Sequence, residues 1–499
     1  MKKYILAIDQ GTSSTKTIIF DELGQAAAKG SVDLKTNYFD NGFVEQNPED
    51  IYQNVLDSVT ECMNDFTRKG LDIHNIVSCG ISNQRETFVL WDKEGKALAP
   101  AVVWACKRSI GICTDLIEKG QNDLIKQKTG LLLDPYFSGT KLLWLLENDI
   151  ELKEKVVNGE VYFGTVDCWI LYKLTYGTVF KTDYTNACRT LLFNIHNLQW
   201  DAEILEKWDL SNLNLPQPCP SSHDFGIIKW GEILNLENQF SIPMTSLIGD
   251  SHAATFGEGC FEKGTAKVTL GTGSSIMMNI GDKAVLSDSG MLTTICWSTE
   301  NRVDYALEGA IVSCGSTIEW LKNELQLFSS PAETAAMAAA IADNAGVYLI
   351  PAFSGLGAPH WQMSRKASIE GMTFGTTKNH IVRAALESIP YQIKDVVQAM
   401  EQDMQAALKS ISVNGGMTQN QFVIHFVADL LGIPLNKQRN PDVSALGAAY
   451  LSGLKSGVYE SISQLSEINK QQTEQVLANA NNDLPSKGYQ GWKEKIARF

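Results

Sequence analysis

The stretch YILAIDQGTSSTKTIIFD, residues 4–21, decides how the first half of the chain folds. Two apolar runs of strand type, 4–9 and 16–21, flank a turn that begins Gly-Thr and is rich in serine and threonine. A second stretch of the same design, LGTGSSIMMNI at 270–280, follows the middle of the chain. The repetition predicts two halves of related architecture.

The rest of the chain alternates strand-like runs with amphipathic helical stretches, which is typical of α/β proteins. Beyond the two turns, a strand is predicted at 74–84, and helices are predicted at 47–70, within 128–149, and at 311–325, 379–401 and 444–457. The alternation of strands and helices begins again near residues 250–260. We therefore predict one domain at 1–252 and a second at 253–499. A chain of 499 residues is long enough to give each domain its own core.

Composition narrows the class of protein. Apolar residues make up 44% and charged residues 20%, as in ordinary globular proteins, and the net charge of −15 disfavours nucleic acid and anionic membranes as partners. The first apolar run is interrupted at Asp9, too early for a secretory leader, and no run approaches the ~20 apolar residues that span a bilayer. The ten cysteines form no CxxC pair. We therefore expect a cytosolic protein without membrane insertion, with reduced thiols.

The two Gly-Thr turns are candidate phosphate-binding sites. Each gathers backbone N–H groups and hydroxyls at one point, without the lysine of a P-loop. The residues concerned are Thr12, Ser13 and Ser14 in the first turn and Thr272 and Gly273 in the second. Either turn alone is compatible with an ordinary hairpin, but a turn in each half favours a nucleotide bound in the cleft between them.

Two other positions carry candidate ligand chemistry. Asp9 ends an apolar strand just before the first turn, where a carboxylate can orient Mg²⁺ or its waters; the alternative is a simple turn residue. Gly415 and Gly416, followed by Asn420, would let a base or ribose approach the backbone closely, although the same residues fit an ordinary turn.

A candidate substrate pocket lies around NQRETFVLW at 83–91. Arg85 and Glu86 place a donor fork beside an acceptor, a combination that can hold the hydroxyls of a polar substrate, although adjacent charges are more often a solvated surface. Trp104 and Tyr136 are candidates for the apolar wall of this pocket, with core packing as the alternative.

The stretch LIGDSHAATFG, residues 247–257, brings Asp250, Ser251 and His252 into direct succession. These residue types form hydrolase triads. If the run continues as a strand, neighbouring side chains point to opposite faces, so Ser251 and His252 would be poorly placed as nucleophile and base. The stretch therefore favours a lone functional carboxylate.

Several segments in the same order resemble the FGGY carbohydrate kinases, and within them the glycerol kinase branch. They include GISNQRET, DPYFSGTKLLWLLEN, TDYTNACRTLLFNIH, YALEGA, IPAFSGLGAP and ALGAAYLSG, and the likeness extends over nearly the whole chain. It implies two actin-like (RNase H-like) domains flanking a catalytic cleft. It also implies ATP-dependent phosphorylation of a terminal hydroxyl of a small polyol. A ketose kinase such as a xylulokinase, or an actin-like ATPase without a sugar substrate, are the alternatives.

The resemblance also assigns roles to single residues. Asp250 matches the general base, and Arg85, Glu86, Trp104 and Tyr136 match positions that hold the polyol. The positions that match the nucleotide side are Thr12, Ser13, Ser14, Lys16, Thr272, Gly273, Gly315, Glu319, Gly416 and Asn420. With ATP, the resemblance implies Mg²⁺ held by Asp9 and, through water, by Asp250. It further implies a homo-oligomer, a dimer or tetramer.

Four positions depart from the glycerol kinase pattern. Lys16 stands for a more usual Arg and Glu319 for a usual Gln. In the substrate pocket, Ser251 replaces Gln, and Ser275 replaces a Phe that packs on the glycerol carbons. Both pocket changes put a small hydroxyl in place of a larger side chain. They predict a roomier, wetter pocket that fits a polyol of four or five carbons, unless neighbouring side chains refill the space for glycerol.

Overall fold

The computed structural model describes residues 2–235 and 240–497. The strands of its first half are β1 Tyr4–Gln10, β2 Ser14–Asp21, β3 Ala26–Asp33, β4 Asn37–Tyr38, β5 Val44–Gln46, β6 Ile76–Asn83, β7 Phe88–Trp91, β8 Ala101–Val102, β9 Tyr162–Thr165, β10 Lys181–Asp183, β11 Phe193–Asn194, β12 Gln199–Trp200, β13 Gln217–Cys219, β14 Ile227–Ile228 and β15 Ile242–Gly249. The helices are α1 Pro48–Arg68, α2 Ile110–Glu118, α3 Asn122–Thr129, α4 Ser138–Asn148, α5 Ile150–Val157, α6 Val166–Leu174, α7 Tyr184–Ala187, α8 Ala202–Lys207, α9 Trp230–Ile233 and α10 Asp250–Gly257, with a 3₁₀ turn at Ile73–Asn75.

The second half repeats the alternation of strands and helices. Its strands are β16 Thr265–Leu270, β17 Ser274–Gly281, β18 Leu292–Thr299, β19 Arg302–Ile311, β20 Tyr348–Ile350, β21 Ser368–Glu370, β22 Ser410–Asn414, β23 Leu435–Gln438 and β24 Thr473–Val476. Its helices are α11 Gly315–Asn323, α12 Thr334–Ala339, α13 Lys378–Met404, α14 Gln421–Leu431, α15 Val443–Ser456, α16 Ile462–Gln471 and α17 Leu484–Ile496, with 3₁₀ turns at Pro331–Glu333 and Gly416–Gln419.

The main sheet of the first half has the strand order β14-β15-β6-β1-β2-β3. Strands β15, β6 and β1 run parallel, and their last residues pair, Gln10 with Asn83 and Asn83 with Gly249. Three chain segments therefore leave the sheet at one edge. That edge is where open α/β sheets bind ligands.

The main sheet of the second half has the order β18-β19-β17-β16-β22-β23-β24. Strands β16 and β22 are parallel and end together, because Thr269 pairs with Asn414. The pairs β1–β2 and β16–β17 are antiparallel, so both Gly-Thr turns are hairpins that connect strands, as the sequence predicts.

Helices α10 and α15 lie between the two sheets. One face of the first sheet, including Ile5 and Phe20, and one face of the second, including Met277 and Trp297, bury against them in a shared apolar cluster. The two helices touch through backbone, since a Cβ added to Gly447 would meet the carbonyl oxygen of Ala253 at 1.8 Å. The small residues of SALGAAYLSG make this contact possible. Helix α1 packs outside the first sheet, on β2 and β3.

The element predictions are confirmed with shifted ends. Asn47 caps α1 by accepting a hydrogen bond from the backbone N–H of Glu49. The helix predicted at 311–325 begins only at Gly315, because β19 extends to Ile311. All ten cysteines are buried and free. Within the described ranges, no helix is both long and apolar enough to cross a bilayer. The domain division at 252/253 stays a prediction.

Candidate active site

The candidate site lies at the edge where β1, β6 and β15 end. Asp9 is the penultimate residue of β1, Arg85 and Glu86 follow β6, and Asp250 follows β15. Glu86 adopts a left-handed backbone with φ of 59°, which a non-glycine residue keeps only where its surroundings fix it. The topology of the sheet thus gathers residues that are far apart in sequence.

A chain of alternating charges runs through this edge. Arg85 Nε lies 3.2 Å from Asp250 Oδ1, and Arg85 Nη2 lies 2.9 Å from Glu308 Oε1. Arg189 continues the chain, with Nη1 at 2.6 Å from Glu308 Oε2 and Nε at 2.6 Å from Glu86 Oε1. Arg85 and Glu86 are buried, so the alternative of a solvated surface pair is wrong, and the two residues are linked through Glu308 and Arg189.

Most of this charge chain is buried. The Glu308 side chain is 6% exposed, whereas that of Asp250, at the end of the chain, is 40% exposed. Burial works against ionisation of Glu308, but Arg189 and Arg85 outweigh it and hold the pKa of its carboxyl well below its usual range. Arg85 Nη1 is buried and finds no hydrogen-bond acceptor among the described residues. The site therefore combines a reachable carboxylate with an unused guanidinium donor.

Trp104 and Tyr136 form one wall together. Their ring centroids are 5.7 Å apart in an edge-to-face contact, and the Arg189 guanidinium lies 5.8 Å from the centre of the Tyr136 ring. Trp104 Nε1 donates to Thr12 Oγ1 at 2.9 Å, and Thr12 Oγ1 donates to Gln84 Oε1 at 3.3 Å. The aromatic wall is thus hydrogen-bonded to the first Gly-Thr turn.

Lys141, in the first turn of α4, holds the segment that contains Tyr136 by hydrogen bonds. Its Nζ donates to the carbonyl oxygens of Pro135 at 2.9 Å and Tyr136 at 2.5 Å. Burial lowers the pKa of Lys141 to about 7.

The lowered pKa of Lys141 predicts a pH-dependent stability. Between pH about 7 and 10.5, Lys141 is protonated in the unfolded chain but neutral in the folded chain. The free energy of unfolding therefore rises with pH in this range. Relative to Lys141→Met, the native protein should gain about 1.4 kcal/mol in the free energy of unfolding per pH unit. Urea unfolding at pH 7, 8 and 9 measures this difference. Lys153→Met, which removes an exposed lysine from α5, is the control, and a native–K141M difference that stays flat would contradict the prediction.

The loops of the second half provide a second set of backbone groups. Helix α11 begins beside the second Gly-Thr turn, with the N–H of Gly315 donating to the carbonyl of Gly271 at 2.9 Å. A Cβ on Gly273 would meet the Ile311 carbonyl oxygen at 2.8 Å. Glu319 lies one turn into α11, exposed and 3.6 Å from Lys322. A helix N-terminus beside a glycine turn is suited to anions.

Gly415 and Gly416 follow the end of β22, next to the second turn. Gly415 has φ of 95°, and a Cβ there would meet Leu270 backbone atoms within 3 Å, so this position requires glycine. A Cβ on Gly416 would meet nothing, so its backbone borders open space. Asn420 caps α14 through Oδ1 and donates to Thr334 Oγ1 at 2.9 Å, so its side chain holds the surrounding loop.

The first Gly-Thr turn is tied to the second half by charge. The backbone of Ser14 accepts from Gly11 N–H at 2.9 Å, and Ser13 is exposed beside it. Lys16, which pairs with Asp9 across the hairpin, lies 3.3 Å from Asp442 at the start of α15. The cation of the first turn therefore faces a carboxylate of the other half.

Asp9 and Asp250 fit an implied magnesium ion. Burial and, to a smaller extent, the charge of Asp250 together raise the pKa of Asp9 to about 7, against the hydrogen bond from Ser82, which lowers it. A buried carboxylate whose ionisation is disfavoured in this way suits a divalent cation, and proteins hold Mg²⁺ by one or two carboxylates together with phosphate oxygens and water. In the described ranges, no group of three or more His, Cys, Asp or Glu is arranged to hold a metal by itself.

The structure corrects the reason for rejecting a hydrolase triad. Asp250, Ser251 and His252 do not lie on a strand; they form the first turn of α10. His252 points into the core, with Nε2 3.4 Å from Thr294 Oγ1, and burial lowers its pKa well below the usual range. A histidine held in this way does not activate Ser251, and the lone-carboxylate interpretation stands.

Asp183 was not singled out from the sequence, yet it joins two of the three strand ends at the site. Its carboxylate accepts hydrogen bonds from Thr185 Oγ1 at 2.7 Å and from Asn186 Nδ2 at 2.8 Å. Thr185 Oγ1 in turn accepts from the N–H of Gly249 at 2.9 Å, and Asn186 exchanges hydrogen bonds with Asn83. Asp183 therefore fixes the ends of both β6 and β15.

Arg189, Glu308 and Lys267 were also missed. Each is a lone charge in an otherwise apolar or small-residue stretch, as in ALEGA and TAKVTL, and each is almost fully buried. A charge predicted to lie inside a buried strand is the signal that would have found Glu308 and Lys267.

Comparison with known proteins decides the family. The model of the FGGY family of carbohydrate kinases, N-terminal domain, matches residues 4–257, and the model of its C-terminal domain matches residues 266–455. The chain belongs to this family. Glycerol kinase 2 of Thermotoga maritima is 43% identical to this FGGY kinase, covering 99% of this chain and 98% of its own length. Glycerol kinase of Caldanaerobacter subterraneus subsp. tengcongensis is 42% identical, covering 100% and 99%.

Solved structures agree on the fold. The crystal structure of Plasmodium falciparum glycerol kinase with ADP superposes with a TM-score of 0.93 at 34% identity, covering 100% of this chain and 98% of that one. A xylulose kinase from Lactobacillus acidophilus, 22% identical with a TM-score of 0.85, shares the fold. The predicted pair of actin-like α/β domains is confirmed, and this FGGY kinase is an ATP-dependent phosphotransferase.

Proposed function

We propose that this FGGY kinase transfers the γ-phosphoryl group of ATP to a terminal hydroxyl of a small polyol, glycerol or a polyol of four or five carbons. The observation that carries the proposal is the Asp250 carboxylate, which is open to solvent on one side and held by buried Arg85 on the other. The relatives named glycerol kinase support the substrate class.

In the proposed reaction, Asp250 is the general base. The substrate hydroxyl oxygen forms a bond to the γ-phosphorus while the bond from that phosphorus to the β,γ-bridging oxygen breaks. The hydroxyl proton passes to the Asp250 carboxylate, and ADP leaves with the electron pair. Phosphoryl transfer depends mainly on positioning and charge stabilisation, so one well-placed carboxylate suffices.

The other residues of the pocket bind and orient the polyol. The Arg85 guanidinium orients the site, because its Nε holds Asp250 and its Nη2 holds Glu308. Arg189 fixes the Glu86 carboxylate beside it, and Trp104 and Tyr136 cover the carbon chain. Ser251 and Ser275 line the enlarged end of the pocket.

On the nucleotide side, we propose that hydroxyls and N–H groups of Thr12, Ser13, Ser14, Thr272 and Gly273 receive the phosphates, with the Lys16 cation nearby. We also propose that the adenosine part of the nucleotide is bound by Gly315, Glu319, Gly416 and Asn420. Asp9 and, through water, Asp250 would hold Mg²⁺. When bound, the ion neutralises charge on the β- and γ-phosphates.

A substrate panel tests the proposal. ADP formation is measured with ATP and Mg²⁺ alone and after addition of glycerol, erythritol, threitol, xylitol or D-xylulose. A polyol kinase forms ADP only with a polyol, an actin-like ATPase forms it without one, and a ketose kinase prefers D-xylulose. Either of the last two outcomes would replace the proposal.

Ser275→Phe tests the shape of the pocket. A phenyl ring at this position should occupy the space beyond a three-carbon substrate and shift the ratio of kcat/KM for glycerol to that for xylitol upward, about tenfold. Steady-state kinetics on both polyols measure the ratio. An unchanged ratio would mean that residue 275 does not line the pocket.

We also propose, with the support of the resemblance and the composition, that the kinase forms a homo-oligomer and works in the cytosol. Size-exclusion chromatography with light scattering tests the first proposal, and fractionation of the source cells tests the second.

A further inference from the structure

The inner face of the second sheet carries a lysine that the proposed reaction does not use. Lys267 lies in β16 and is 1% exposed. Its Nζ donates to Thr269 Oγ1 at 3.0 Å and approaches Ser275 Oγ at 3.5 Å. It forms no ion pair within 4.0 Å with a carboxylate of the described residues. Burying an ammonium group that is hydrogen-bonded only to hydroxyls costs free energy. We therefore expect a functional role of Lys267.

The pairing of the strands places Lys267 on the same face as the charge chain of the site. Met277 of β17 pairs with Lys267 on one side and with Glu308 on the other. Directly paired residues share a face of the sheet, and so do residues two apart on one strand, so Ser275 also lies on this face. The Glu308 carboxylate forms an ion pair with Arg85, and Arg85 forms a second ion pair with Asp250. Burial lowers the pKa of Lys267; among the charges that raise it, Glu258 acts most strongly, followed by Glu308 and Asp250.

The hydrogen-bond roles in this group are fixed by chemistry. An ammonium only donates, so the oxygens of Thr269 and Ser275 accept from Lys267. Each hydroxyl hydrogen must then be directed elsewhere. The side chain of Ser275 is half-buried, and no described residue accepts its hydrogen. Ser275 therefore presents a donor, polarised by the neighbouring lysine, on the face of the second sheet that also carries Glu308.

We propose that Ser275, supported by Lys267, is a specificity-determining pair that binds a hydroxyl oxygen of a linear polyol beyond the three carbons of glycerol. This inference rests on the proposed polyol kinase activity and deepens it by naming the longer polyols as the substrate class. A site that hydrogen-bonds a substrate hydroxyl discriminates strongly against a substrate without that hydroxyl. An apolar pocket discriminates less strongly against a substrate that is one carbon shorter.

The test compares kcat/KM for erythritol, xylitol and glycerol in the native enzyme, Ser275→Ala and Lys267→Met. The native enzyme should prefer erythritol or xylitol to glycerol. Each variant should lower the ratio of kcat/KM for the preferred polyol to that for glycerol about tenfold, the effect of losing one hydrogen bond supported by a charge. The double variant should lower it no further, because both changes break the same hydrogen-bond chain.

Ser274→Ala is the matched control. Ser274 is the neighbouring serine on the opposite face of β17, buried, with an Oγ that has no partner among the described residues. Its removal should leave the substrate ratio unchanged. Thermal unfolding of each variant checks the fold, and Ser275→Ala carries the test if loss of the buried lysine prevents folding.

The outcomes separate this inference from the proposed function. A native preference for glycerol, or an equal loss on all three polyols in Ser275→Ala and Lys267→Met, would overturn the specificity role while the kinase assignment stands. Failure to phosphorylate any polyol of the panel would overturn the proposed function, and this inference with it.

Discussion

Replacing Asp250 by asparagine should lower kcat about a thousandfold, within the range that general bases contribute. Asparagine keeps the size of the side chain but cannot take the hydroxyl proton. The carboxylate lies at the exposed end of the charge chain, so its loss should change the fold little. Steady-state assays with the preferred polyol measure kcat, and titration with ADP measures nucleotide binding, which should stay close to that of the native enzyme.

The control for this substitution is Asp115→Asn, an exposed aspartate of α2 that lies outside the proposed site. It should retain native kcat. A kcat for Asp250→Asn within tenfold of the native value would contradict the assignment of the base. Loss of ADP binding would place Asp250 on the nucleotide side instead.

Replacing Glu308 by glutamine should cost about 3 kcal/mol in the free energy of unfolding, because it leaves two buried guanidinium groups without their shared counter-charge. Arg85 and Arg189 both contact this carboxylate, at 2.9 Å and 2.6 Å. The same change should lower kcat/KM, since Arg85 then loses the partner that holds it against Asp250. Urea unfolding and polyol kinetics measure the two effects.

Glu151→Gln is the control for this second substitution. Glu151 lies 2.6 Å from Lys155 on α5, but 78% of its side chain is exposed, and such surface pairs contribute between 0 and about 1 kcal/mol. Equal losses in Glu308→Gln and Glu151→Gln would show that the charge chain does not stabilise the site as described.

Local pattern was enough to predict which candidate residues lie at strand ends. Asp9, the Gly-Thr turns and Asp250 each come directly after an apolar run, and turn residues after such runs mark where a chain leaves a sheet. The two hairpins are confirmed in the structure. The resemblance added residue roles that local pattern alone did not assign.

Partnerships across the chain could not be predicted in this way. Arg85 and Glu308 are separated by 223 residues, and nothing near either residue indicates the other. The Asp-Ser-His stretch was interpreted as the continuation of a strand because an apolar run precedes it. Its place in a helix follows from tertiary packing, since α10 lies against both sheets and α15.

The contact between α10 and α15 has a consequence for how the enzyme is made. Ser444 Oγ donates to the backbone carbonyl of Asp250 across 194 residues, and the glycines of both helices bring their backbones together. A chain emerging from the ribosome acquires every member of the charge chain by residue 308, but it lacks the surface on which the Asp250 helix rests. We expect the nascent enzyme to gain its active geometry only after the segment from Val443 to Ser456 has been synthesised and has joined the earlier sheets.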